Sequence, residues 1–94
     1  MSADQPPAIV QILGDPGGTL GERQAIVAWL RRIAVKVEIV GECNSSCLWF
    51  FTLPPEQVCV MPGALLAHHT PEGGVAWERG RGAVTRGVVR ECRK

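Results

Sequence analysis

Ser45 and Ser46 stand between two cysteines in Cys43-Asn44-Ser45-Ser46-Cys47, and His68 and His69 close an apolar run further along the chain. A serine hydroxyl becomes a nucleophile when a neighbouring base takes its proton, and an imidazole titrating near neutrality is the usual base. Consecutive strand residues face opposite sides, so at most one of the two histidines can face the serine. Ser45 follows a strand-like run and Gly41 and opens a bulky apolar stretch, Leu48-Trp49-Phe50-Phe51. At a helix start the first amides have no intrahelical acceptor, so the N–H of Ser46 is available to a developing oxyanion beside the nucleophile. Asp15-Pro16-Gly17-Gly18 offers a second donor, because glycines let backbone N–H groups point into open space. Each segment also has a plainer reading. Asn44, Ser45 or Ser46 can simply cap the helix, and Pro-Gly-Gly is an ordinary strand-to-helix turn.

Cys43, Cys47 and Cys59 with His68 or His69 make a soft and borderline ligand set of the kind that holds tetrahedral zinc. The apolar, aromatic run after Cys47 is unlike a knuckle turn, so no metal or other cofactor is expected, and the zinc reading stands as a third alternative. A Cys43–Cys47 disulfide requires an oxidising compartment; otherwise the four cysteines read as buried thiols.

The elements that must position these groups follow from periodicity. Residues 8–13 form an apolar run stopped by the glycine turn, as a buried parallel strand would be. Thr19 with Glu22 has capping-box spacing, and Ile26, Val27, Leu30, Ile33 and Ala34 then recur at helical spacing, predicting a helix over 20–34. Val35 to Val40 predicts a second strand, giving a βαβ unit with a right-handed crossover. A short buried helix is expected over 45–53, closed by Pro54-Pro55. Val58 to Met61 and Ala64 to His68 read as short strands separated by Pro62-Gly63. The chain divides into a disordered start over 1–7, a core over 8–71, and a glycine-rich basic tail over 72–94 that is poorly ordered or holds one strand within Gly82 to Val89.

Ninety-four residues with 46% hydrophobic content support one small core. Ten basic against nine acidic residues leave a net charge of +1, which gives no electrostatic drive toward nucleic acid or an anionic membrane. No apolar run approaches the ~18 residues of a membrane span, and the start lacks the pattern of a signal peptide. A cytoplasmic protein is the expectation, or a periplasmic one if the chain belongs to a longer precursor.

Taken in order, the three segments resemble the proteolytic subunit of Clp protease and, more closely, bacterial Clp-protease-like proteins with a Cys-x-Ser-x-Cys motif. Asp-Pro-Gly-Gly over 15–18 is similar to that family's Ser-Pro-Gly-Gly turn, and Gly-Glu-Cys-Asn-Ser-Ser-Cys over 41–47 to its Gly-x-Ala-x-Ser-Met segment. Val-Met-Pro-Gly-Ala-Leu-Leu-Ala-His-His-Thr-Pro-Glu-Gly-Gly over 60–74 is similar to its Leu-Pro-Asn-x-x-x-Met-Ile-His-Gln-Pro-x-Gly-Gly. The resemblance implies an α/β fold, part of the ββα superhelix shared with crotonases, with a short parallel sheet and two helices. It also implies a serine peptidase site in which Ser45 is the nucleophile, His69 the base, and the amides of Gly18 and Ser46 the oxyanion hole. Peptides or proteins are then the expected substrates, and a homo-oligomer formed through the exposed sheet edge or helix face the expected assembly. The family's third catalytic residue is an aspartate well downstream. Here only Glu72, Glu78 and Glu91 follow the histidines, so slow turnover is expected, and a catalytically inactive interaction module is the rival reading.

Overall fold

The computed structural model describes residues 9–15, 17–85, 87 and 89–92, and of His68 and His69 the backbone alone. The order is β1 (Ile9–Asp15), α1 (Leu20–Ile33), β2 (Lys36–Asn44), a 3-10 helix (Ser45–Thr52), β3 (Val58–Val60), β4 (Leu65–His69), β5 (Val75–Arg79), α2 (Gly80–Thr85) and β6 (Arg90–Glu91). The expected disordered start lies outside the described residues.

β2 organises the sheet. Its apolar residues Val37, Ile39 and Cys43 are wholly buried, and it pairs in parallel with β1 over nearly its whole length. On the opposite edge two strands share it in succession. β3 takes Val37 to Ile39 and β4 takes Glu42 to Asn44, both parallel. The sheet therefore forks near Gly41, whose φ of +73° gives the bend that only glycine adopts without strain. One branch continues from β3 to β6 and the other from β4 to an antiparallel β5. The result is a small α/β domain built on a curled, mixed, six-stranded sheet.

α1 buries Val27 and Leu30, and the 3-10 helix buries Cys47 and Phe50; the two helices pack together over the sheet. Thr19 makes no side-chain cap bond, so the capping-box spacing marks the helix start without forming the box. The helix ends at Ala34 in the left-handed conformation, its N–H donating to the Leu30 carbonyl. Buried Gln57 donates to the same carbonyl at 2.7 Å and ties the end of α1 to the β3 turn.

The region after residue 71 departs from its expected looseness. β5 pairs with β4 across a Thr70–Gly74 turn, α2 occupies much of the stretch read as a strand, and β6 joins β3. The cause is tertiary: Ala83 is wholly buried, and Gly80 sits so close to Val60 and Ala64 that a methyl there would meet them at 3.2–3.3 Å. Local glycine content does not register such packing. The expected boundary near Pro71 falls inside the β4–β5 turn.

Candidate active site

Three strand ends bring the sequence-predicted segments together. Asp15 is level with Cys43, and Cys43 with Leu66, so the β1–α1 turn, the turn from β2 into the 3-10 helix and the end of β4 emerge side by side. Gly17 lies against the second of these turns. A methyl on it would approach the Asn44 carbonyl oxygen to 3.1 Å and Ser45 Cβ to 3.4 Å. A methyl on Gly18 would meet nothing within 4 Å, so this glycine borders open space, as a donor to an outside oxyanion must.

Ser45 is half-buried with φ +54°. Among the described residues only Ala34 shares a positive φ without being glycine. A non-glycine residue holds this conformation at a cost of ~1–3 kcal/mol, and it persists where the surroundings over-determine it. The capping alternative loses ground here, because Asn44, at the N-cap, makes no side-chain cap bond. The Ser46 hydroxyl is buried and finds no hydrogen-bond partner among the described residues.

An ion pair braces the turn from behind. Asp15 Oδ1 accepts from the Gly17 N–H at 2.8 Å and from Arg23 at 2.9 Å, while Asp15 Oδ2 lies 2.6 Å from the second guanidinium nitrogen. The Arg23 guanidinium in turn stacks over the Phe50 ring, 4.9 Å from its centre. One fork thus links the glycine turn, α1 and the helix that carries Ser45. Sequence reasoning did not single out Asp15 or Arg23. Asp two residues before a glycine is an Asx-turn signature and was a usable sign, but the Arg23 contact is visible only in three dimensions.

β4 runs beyond its last pairing with β2, Asn44 opposite Ala67, and carries the backbone of His68 and His69 past the point where β2 turns away at Ser45. The roles expected for those two side chains lie outside the described residues. The candidate carboxylates fall at different places in the fold. Glu78 is level with Leu66, while Val75 is level with His69, a separation of three residues or about 10 Å along the strand. Glu91 belongs to β6 on the other branch of the sheet, and Glu72 is exposed in the turn.

All four cysteines are bonded, Cys43 to Cys47 and Cys59 to Cys92, with Cα separations of 5.3 and 4.9 Å. This corrects the reading of the cysteines as buried thiols. It also removes the ligand atoms of the alternative zinc set Cys43, Cys47, Cys59 and His68, since a sulfur in a disulfide is not the thiolate a metal requires. Glu38 lies near Cys59 and Cys92, whose bond likewise leaves no metal site. The Cys59–Cys92 pairing had no local signal, because it joins β3 to the residue after β6, and the two become neighbours only in the folded sheet. Among the described residues no helix is long and apolar enough to cross a membrane.

Compared with protein-family models, curated proteins and solved structures, the chain matches none.

Proposed function

We propose that this domain is a serine hydrolase of the Clp-protease type, acting on peptide or related acyl substrates through Ser45. The observation that carries the reading is Ser45 itself, fixed at φ +54° at a strand-to-helix turn that packs on a glycine turn opening to solvent. His69 takes the Ser45 proton, the alkoxide attacks the substrate carbonyl, and the amides of Gly18 and Ser46 receive the oxyanion. Return of the proton to the leaving group yields an acyl-enzyme that water then hydrolyses. Glu78, on the strand beside that of His69, and Glu91, on the other branch of the sheet, are weak substitutes for the family's aspartate, and turnover is slow. The two disulfides favour an oxidising compartment over the cytoplasm.

A fluorophosphonate probe tests the site directly. Peptide mass spectrometry should find the adduct on Ser45 and none on a Ser45→Ala chain. An adduct on Ser46, or undiminished labelling of Ser45→Ala, would falsify the assignment.

A second reading has its own observation. Leu65, Val75 and Trp77 fall on one face of the β4–β5 pair and are 37–51% exposed, an apolar face suited to a peptide or a second copy of the chain. Association in solution without any probe labelling would support an interaction module instead.

A further inference from the structure

We propose that the Cys43–Cys47 disulfide is the positioning element that holds Ser45 in its left-handed conformation, so that the Ser45 site exists in the oxidised chain and is lost when a dithiol opens the bond. The catalytic half of this statement rests on the hydrolase reading above; the conformational half does not.

Both ends of the disulfide ring are anchored. Cys43 sits in the middle of the sheet, between Asp15 on one edge and Leu66 on the other, and Cys47 lies in the first turn of the 3-10 helix; both side chains are wholly buried. Residues 44–46 must therefore join two fixed points whose Cα atoms are 5.3 Å apart. Four extended steps would span about 13 Å, so the segment has to fold back sharply. It does so by entering the left-handed region at Ser45, while Asn44 on one side remains extended with φ −111° and ψ 134°. Ring closure demands a reversal between Cys43 and Cys47, and in this chain the reversal is made at Ser45. The glycine turn completes the enclosure, since a methyl at Gly17 would lie 3.1 Å from the Asn44 carbonyl oxygen. When the ring opens, nothing covalent opposes the return of Ser45 to negative φ, and its side chain then leaves the position set against Gly17.

The redox step balances with a dithiol as co-reactant. One thiolate attacks a sulfur of the Cys43–Cys47 bond to form a mixed disulfide, and the second thiol closes the dithiol into its own disulfide. Cys43 and Cys47 are left as two thiols carrying the protons, and the dithiol loses the two electrons they gain. The other disulfide, Cys59–Cys92, joins β3 to the residue after β6 on the opposite branch of the sheet and serves as the internal control.

The experiment uses the full chain in three forms: native, C43A/C47A and C59A/C92A. Two readouts are taken on each, the rate of fluorophosphonate labelling at Ser45 and the NMR coupling between the Ser45 amide and α protons, which depends on φ and not on any chemistry. C59A/C92A should keep the native coupling and labelling rate. C43A/C47A should stay folded, change its Ser45 coupling, and label slower by on the order of tenfold or more, as misplacement of a reacting group does. An unchanged coupling and rate in C43A/C47A would overturn the proposal while leaving the hydrolase reading intact. A changed coupling with no labelling in any form would leave the positioning role standing and remove the hydrolase reading. If C43A/C47A does not fold, C59A/C92A is titrated with dithiothreitol instead. Loss of the native coupling before the fold melts supports the proposal, and simultaneous loss of both assigns the bond a purely structural role.

Discussion

The left-handed serine sets local energetics that substitutions can separate from chemistry. Replacing Ser45 by glycine removes a Cβ clash worth ~1–2 kcal/mol in that region, against an entropic loss of ~0.4–1 kcal/mol from the freer unfolded chain. Ser45→Gly is therefore expected to leave stability unchanged or raise it by up to ~1.6 kcal/mol, judged by urea midpoint, while probe labelling disappears. Gly17→Ala should behave in the opposite way. Its φ of +99° and the Asn44 oxygen at 3.1 Å both oppose a methyl, and a loss of ~1–3 kcal/mol is expected in the same titration. The types of these residues were legible in the sequence, because Gly-Gly after a strand and a serine after a short polar turn are local patterns. Burial of the Ser46 hydroxyl was not, since it is decided by residues distant in the chain.

At the scale of the element, α1 offers two independent tests. Its start is held by the two-toothed contact between Arg23 and Asp15, whose side chains are only 12% and 10% exposed. Lysine cannot reproduce that fork, so Arg23→Lys should lose ~1.5–3 kcal/mol, the usual worth of a charge-assisted bond, and should slow labelling as the glycine turn loosens. Denaturant unfolding and probe kinetics on the same sample decide both parts. Its end, at Ala34, has φ +56° and is exposed, the position at which helices commonly place glycine. Ala34→Gly is expected to stabilise the chain by ~0.5–1 kcal/mol, visible as a rise of a few degrees in melting temperature. The helix itself was readable to within a residue or two because Val27 and Leu30 repeat at the period of the buried face. The strand expected over Gly82 to Val89 was not found where α2 lies. A six-residue helix has little periodicity to show, and packing of Ala83 and Gly80 overrode the β-forming valine and threonine.

For the molecule as a whole, the two disulfides divide labour. Cys59–Cys92 closes a sequence separation of 33 and Cys43–Cys47 one of 4, so chain entropy assigns them roughly 3–4 and 2 kcal/mol of stability respectively. C59A/C92A should accordingly show the larger drop in melting temperature although it lies on the branch away from Ser45. Ending the chain at Gly74 removes β5, α2, β6 and Cys92 together, and such a chain is expected to lose cooperative unfolding by calorimetry. The sequence made the parallel core legible, strand by strand, since each apolar run was short and well bounded. It did not make legible that the second half of β2 would trade one neighbour for another, because a fork is a property of pairing and leaves no mark on the strand's own residues. That fork has a consequence on the clock of amide exchange. Over Val37 to Ile39, and again at Cys43, the hub strand has neighbours on both edges, so its protons there meet heavy water only when the sheet comes apart. β5 and β6, each at the tip of a branch, can open alone. After transfer to heavy water the Ile39 amide should outlast that of Ala76 by the full interval between global and local opening, making a single β2 amide a timer for the whole fold.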